Sequence, residues 1–261
     1  VDKRSIDLSK FEEEVGDFVP LHFSFWDKPK VYENQIPSYL GFTNEKTVEV
    51  TRKYMHLSPS VMGIMVKTGP RTCPSMEEKV RWFPDKTRHQ FFLEPEGFNT
   101  NEMYMQGMYM SMPYDMQLEV LRTIPGLENI EIIRPAYVID YDYIVPTQLN
   151  LNYETKLVEG LFIAGQPNGT TGYDEAAGQG LFAGINAALK VQGKPPFILK
   201  RSDAYLGVMT DDILTKELFE PYRITPSHCE YRQILREDNA DLRLTRKGYE
   251  LGVVEEWKFR M

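Results

Sequence analysis

Residues 161–190 read LFIAGQPNGTTGYDEAAGQGLFAGINAALK, and the fold turns on how this stretch is taken. A short apolar run, 161–164, reads as a buried strand that ends at Gly165. A loop of Gly, Asn and Thr follows, and a helix begins at Tyr173 to Glu175. In doubly wound sheets ligands sit just beyond the carboxyl ends of strands. Gly165, Gly169 and Gly172 permit close backbone approach, and the open amides of a helix start suit an electron-rich ring edge or an anion. Within the helix Ala176, Gly180, Gly184 and Ala188 recur every fourth residue as a small-residue stripe, with Leu181, Ile185 and Leu189 beside it. The stripe predicts a helix lying close against a sheet or a ring system. Taken together, the layout points to contact with a large cofactor. Yet no G-x-G-x-x-G occurs in the 261 residues, so the usual pyrophosphate-binding half of such a site is absent from the sequence.

The totals bound the answer. The chain is long enough for one large domain or two smaller ones, and its 42% hydrophobic and 26% charged composition is that of a globular protein. No apolar run approaches the roughly 18 residues that would span a bilayer, and the first residues show no secretory signal. Two cysteines, Cys73 and Cys229, are no disulfide framework and fit a reducing compartment. A net charge of −8 argues against a surface that grips nucleic acid everywhere. The charge is uneven, however: residues 200–261 carry 11 Lys and Arg against 12 Asp and Glu, leaving −7 on the first 199. A local basic patch in the tail is compatible with that balance.

Strand and helix patterns alternate, which predicts a mixed α/β protein. SYLGFT, SVMGIMVKTG, HQFFLEPEG and MYMQGMYMSM read as strands, and IEIIRPAYVIDYDYIV as one or two more. TNEKTVEVTRKYM reads as a helix capped by Thr43 or Asn44, PSMEEKVRWF as a second, and PYDMQLEVLRTI as a third ended by Pro125 and Gly126. After QGKPPF the chain turns helical to its end. The methionines of residues 103–112 read as core filling.

Three residue groups could carry chemistry. Pro74 suits the first position of a helix, which would make Cys73 its N-cap. Beside Arg71 and Lys79 a thiol there would favour the thiolate, a nucleophile able to add to a pyrimidine ring. On the residues alone, a small packed side chain is the simpler reading of Cys73, and Cys229 has no such context. Arg232 and Arg236, four apart, would share a helix face and with Arg223 and Arg243 could hold phosphates; a solvated face paired to Glu230 and Glu237 is the plainer alternative. Glu94 and Glu96 bracket a proline and read as turn residues before acid–base ones. The four histidines show no metal-ligand spacing, so no metal is expected.

GLFIAGQPNGTTGYDEAAGQG, residues 160–180, resembles the second flavin-binding signature of the GidA/MnmG family of flavin-dependent enzymes that modify the wobble uridine of tRNA. TNEKT, GPRTCPSMEEKVRWFPDKTRHQFFLEPEG, AYLGVMTDD, EPYR and EYRQILREDNADLRLT follow in family order, so the likeness covers essentially the whole chain. The family's pyrophosphate fingerprint lies nearer its N-terminus and its helical partner-binding domain at the far C-terminus. The chain is therefore expected to be a central piece of a longer protein, inactive by itself, and its missing fingerprint is accounted for.

The resemblance implies part of a Rossmann-like FAD-binding domain (1–70), an inserted α/β substrate and nicotinamide-associated domain (71–146), a second FAD-binding segment (147–195) and the start of a helical C-terminal region (196–261). It implies FAD contacts from Gly165, Gln166, Asn168, Gly169, Thr170, Thr171, Gly172, Tyr173 and Glu175. It implies a nicotinamide-associated loop with Gly69, Pro70, Arg71, Thr72, Pro74 and Lys79, and makes Cys73 the catalytic nucleophile. Arg71, Lys79, Arg223, Arg232 and Arg236 would contact tRNA. NADH would reduce FAD, methylenetetrahydrofolate would supply a one-carbon unit, and a cytoplasmic homodimer would work with a GTPase of the MnmE type. Two departures stand out: Thr72 where the family usually has Tyr, and His228 where it carries Arg. The rival readings are a folate- and FAD-dependent tRNA uridine methyltransferase, a general flavin oxidoreductase, and a non-catalytic tRNA- or partner-binding module.

Overall fold

The computed structural model describes residues 1–16, 36–63, 74–139 and 141–260. They fall into two compact units, one within residues 1–140 and one made mainly of residues 141–261. Helices and an antiparallel sheet together make the protein mixed α/β, as the alternation of patterns predicts.

The first unit is built on a meander of four antiparallel strands, β1 (Glu12–Glu14), β2 (Ser38–Phe42), β3 (Gln90–Pro95) and β4 (Met103–Gln106), in that spatial order. Alternation decides the faces: Phe91 and Leu93 of β3 point into the core while Gln90 points out. Gly41 sits directly opposite Phe91, and a Cβ at that position would overlap the Phe91 ring. The ring therefore lies flat over β2, and Phe11 packs edge-on against it at 6.0 Å.

Helix α1 (Glu45–Tyr54) follows β2. Of the two candidate caps the structure selects Asn44, whose Oδ1 accepts from Thr47 N at 3.0 Å while Thr47 Oγ1 accepts from Asn44 N at 3.2 Å. Asn44 Nδ2 also donates to Thr123 O at 2.8 Å, which ties the helix start to the chain beyond α4. Next come α2 (Pro59–Met62), α3 (Met76–Trp82) and α4 (Tyr114–Leu121). Val48, Val80 and Val120 meet Phe91, Leu93, Met103, Met108, Met110 and Met112 in one core. The methionines do fill the interior, although β4 ends at Gln106 and the later ones are buried from irregular chain.

Three local readings change. Residues 59–62 form a helical turn instead of a strand start, because Ser58 and Pro59 open a helix and Gly63 closes it with φ 71°. The cap of α3 is Ser75, not Cys73: Ser75 Oγ accepts from Glu78 N at 3.2 Å and Glu78 Oε2 accepts from Ser75 N at 2.9 Å. A hydroxyl is the stronger cap, so Pro74 is left outside the helix. Residues 131–139 and 141–145 form no strand; the buried Gln117 amide exchanges two hydrogen bonds with Ala136 and so takes the place of a ladder.

The second unit gathers around α5 (Tyr173–Val191), α6 (Tyr205–Thr215), α7 (Ala240–Glu250) and α8 (Glu256–Phe259), so the chain after residue 196 is helical in blocks. Tyr153, fully buried, packs edge-on against Phe182 of α5 at 5.7 Å, and its hydroxyl lies 2.9 Å from Thr210 Oγ1 on α6. Burial raises the Tyr153 pKa and keeps the hydroxyl protonated. Among the described residues, no helix is long and apolar enough to cross a membrane.

Candidate functional site

Residues 161–164, read from sequence as a buried strand, make one bridge, Glu154 to Phe162, and Leu161 is exposed. Among the described residues no further strand lies alongside, so the backbone is held by loop hydrogen bonds instead, such as Ile163 N to Tyr153 O at 3.1 Å. The loop beyond it is as the glycines require: φ is 87° at Gly165, 77° at Gly169 and 146° at Gly172. Gly172 is the decisive one. It is the residue before α5, and a Cβ there would overlap Glu175 Oε2 and the Arg223 guanidinium.

Gln179, 0% exposed, holds this loop from within α5. Its Oε1 accepts from Gly165 N at 2.9 Å and from Asn168 Nδ2 at 2.9 Å, and its Nε2 donates to Thr170 Oγ1 at 2.9 Å. The tail clasps the other side: Thr171 N donates to Tyr222 O at 2.9 Å and Tyr222 N to Gly169 O at 2.8 Å. Glu175, 1% exposed, accepts from Ile224 N at 2.9 Å on Oε1, with Arg223 Nε 3.4 Å away.

What remains open is informative. Asn168 Oδ1, Thr171 Oγ1 and Glu175 Oε2 are buried and have no hydrogen-bond partner. Buried polar atoms are nearly always paired, and each orphan costs about 1–3 kcal/mol. No side chain caps α5, so its first-turn amides are open as well. Orphaned acceptors beside open donors, around a backbone without side chains, are the chemistry of a cradle for a polar ligand. The residues fit a large cofactor bearing both hydroxyl or N–H donors and acceptor atoms.

The structure thus gathers Gly165, Asn168, Gly169, Thr170, Thr171, Gly172 and Glu175 in one place. Thr170 turns its hydroxyl inward, toward Gln179 and Gly165 O. Gln166 Nε2 donates to Asp142 O at 2.8 Å, and Tyr173 is 94% exposed at the helix start. The small-residue stripe does not pack as expected: Gly180 and Gly184 have no atom within 4 Å of an added Cβ, and Leu181 is exposed. The buried face of α5 is instead Glu175, Gln179, Phe182, Ala183, Asn186 and Leu189, because the polar side chains have partners inside and the glycines offer nothing to bury.

Gly69, Pro70, Arg71, Thr72 and Cys73 lie outside the described residues. Lys79, on α3, donates to Gly107 O at 2.5 Å. Arg232 and Arg236 do not share a helix face, since residues 230–236 form turns and irregular chain. Arg236 pairs with Asp238, while Arg243 is spent on backbone carbonyls of Asp203 and Arg236. Cys229 is buried against Val208 and Leu235, a packed side chain as expected. Among the described residues no cluster could hold a metal ion.

Sequence reasoning passed over Gln179 and the tail clasp. Arg201 Nη1 contacts Asp212 at 2.7 Å and Arg201 Nε contacts Glu230 at 2.8 Å, while Tyr222 OH donates to Asp212 at 2.8 Å. Burial works against the ionised form of Asp212, yet bonds from Lys216, Tyr222 and Arg201 hold its pKa below the ordinary value. The available signal was spacing: Glu175 and Gln179 are four apart, and Asn186 continues the same face two turns later.

The chain is similar to known proteins over nearly its whole length. The family model described as glucose inhibited division protein A matches residues 1–195. The tRNA uridine 5-carboxymethylaminomethyl modification enzyme MnmG of Enterococcus faecalis is 54% identical over 260 residues, which are 99% of this chain and 41% of that protein. MnmG of Syntrophobacter fumaroxidans is 55% identical over 251 residues, 96% of this chain and 39% of that protein. The structure of Aquifex aeolicus GidA superposes in two crystal forms, with TM-scores of 0.87 and 0.89 at 48% and 50% identity. Each superposition covers 99% of this chain and 42% or 44% of GidA. The chain thus spans about two fifths of the length of the curated relatives it matches.

Proposed function

Because the chain belongs to the GidA family, we propose that it is the central part of a flavin-dependent enzyme that adds a carboxymethylaminomethyl-type group to the 5-position of the wobble uridine in tRNA. The observation that carries this reading is the glycine loop, whose buried Asn168, Thr171 and Glu175 each have an atom without a partner. FAD would be held there by residues 165–175, with the α5 amides toward its electron-rich edge. When bound, FAD supplies two-electron redox chemistry, with NADH as its reductant and methylenetetrahydrofolate as the one-carbon donor.

The residues of this chain do the rest. The Cys73 thiolate attacks the uracil ring, forming a C–S bond that activates the neighbouring carbon and breaks when the product leaves. Gly69, Pro70, Arg71, Thr72, Pro74 and, from α3, Lys79 contribute to nicotinamide binding. Arg71, Lys79, Arg223, Arg232 and Arg236 hold tRNA phosphates, positioning RNA without reading its sequence. Of these Arg232 is exposed, whereas Arg223 is shared with Glu175. The parent protein works in the cytoplasm as a homodimer with a GTPase of the MnmE type. Residues 147–195 contribute to its FAD-binding domain and 196–261 begin its helical C-terminal region, while the sheet that pairs β2 with β3 makes residues 1–140 one unit in place of a boundary at residue 70.

The test is mass spectrometry of wobble nucleosides in tRNA from cells lacking the endogenous enzyme and supplied with the full-length parent. Wild type restores the modified nucleoside, and Cys73→Ala abolishes it while the protein stays folded and yellow with flavin. A plain methyluridine as product would transfer the reading to the folate-dependent methyltransferase. Full activity of Cys73→Ala would reduce that thiol to a packed side chain.

A further inference from the structure

We propose that Gln179 is a positioning residue that sets which end of the Asn168 amide faces the cofactor. This role rests on flavin binding at the glycine loop and adds a polarity to that site. An amide side chain offers a donor end and an acceptor end of nearly the same shape, so something must decide its orientation. The decision starts at Gly165, whose backbone N–H can only donate and does so to Gln179 Oε1 at 2.9 Å. That fixes the Gln179 amide and sends its Nε2 to Thr170 Oγ1 at 2.9 Å, leaving the Thr170 hydroxyl proton for Gly165 O at 3.3 Å. The same Oε1 accepts from Asn168 Nδ2 at 2.9 Å, and Ile163 O accepts from that nitrogen at 2.9 Å.

Both Asn168 amide protons are therefore used inside the protein. Its Oδ1 is left as a buried acceptor with no partner. The atom offered to the ligand is thus an acceptor, and the group it takes is a donor, an N–H or a hydroxyl, not a phosphate oxygen. Gln179 need not touch the ligand to impose this, and its burial from within α5 keeps it away from solvent.

The test is a double-mutant cycle in the full-length parent, reading FAD affinity by fluorescence titration of the apoprotein together with the visible spectrum of the bound flavin. Gln179→Leu is expected to weaken FAD about tenfold or more and to shift the spectrum, a loss on the scale of one buried hydrogen bond. Asn168→Ala should then add little in the Gln179→Leu background, because the amide has already lost its orientation. Gln179→Glu keeps an acceptor toward Gly165 N and Asn168 Nδ2, so it should restore much of the affinity and leave Asn168→Ala as damaging as in wild type. Losses from Gln179→Leu and Asn168→Ala that simply add would overturn the proposal, as would wild-type affinity and spectrum in Gln179→Leu. Should Gln179→Leu fail to fold, Gln179→Glu decides alone: a harmless Asn168→Ala in that background sinks the relay. A wild-type parent that binds no FAD would instead refute the flavin reading itself.

Discussion

Around Phe91 the first unit packs apolar side chains, whereas around Gln179 the second unit buries hydrogen-bonded polar ones. Phe91 meets Gly41 and Phe11 inside the core that also holds Val48, Leu93 and Met103, and the neighbouring α1 cap is fully paired. Gln179 meets a backbone amide, another amide and a hydroxyl, and Asn168 and Thr171 of the loop and Glu175 of α5 each keep an unpartnered atom. Glycine serves opposite ends in the two places. At Gly41 the missing side chain lets an aromatic ring lie down on the sheet; at Gly172 it lets a carboxylate and a guanidinium close under a helix start. Both units bury unpartnered atoms, Glu77 Oε2 and His89 Nε2 in the first, but in the second three of them gather around one glycine loop.

The first way to break this comparison is Phe91→Ala. It should cost about 3–5 kcal/mol through the cavity it leaves. Hydrogen exchange followed by mass spectrometry should show the loss across β2 to β4 and no change in residues 165–190. Loosening of both regions together would mean that the sheet and the loop are one cooperative structure.

Gly172→Ala comes next. A methyl group at φ 146°, where Glu175 and Arg223 already sit, should cost about 1–3 kcal/mol in strain. Unlike Phe91→Ala, it should also reduce FAD retention by the full-length parent. Retention at the wild-type level would show that the glycine is needed only for folding.

Asn44→Ala removes the capping box of α1 and should cost about 1 kcal/mol, read from the urea midpoint, with no effect on flavin affinity. An effect on flavin would deny the separation drawn here.

The smallest effect concerns acid. The Arg201 guanidinium beside Glu230 holds its pKa at about 2, below its ordinary value of 4.5. A depressed carboxylate contributes stability above its unfolded pKa and loses it as pH falls through its folded one. The difference in urea midpoint between wild type and Glu230→Gln should therefore be present at neutral pH and shrink as pH falls from 4.5 toward 2. Because the carboxylate is half exposed, salt should weaken it too. A difference that grows on acidification would rule the pairing out.

Much of this was legible in the chain itself. The helix start at Tyr173, a cap for α1 at Thr43 or Asn44, the strands at residues 38–42 and 90–95 and the buried methionines all follow from local rules, because turn chemistry, capping and alternation act over a few residues. So does the family, which is carried by runs such as GLFIAGQPNGTTGYDEAAGQG. Tertiary structure decided the rest. Spacing cannot tell which face of α5 turns inward when one face is small and another polar; the partners on Gly165, Asn168 and Thr170 settled it for Gln179. Nor can spacing show that residues 222–224 return to close over the glycine loop, or that Arg223 meets a carboxylate forty-eight positions earlier in the chain. Those contacts join residues far apart in sequence, and only the folded chain brings the donors within reach of the acceptors that would otherwise be buried alone.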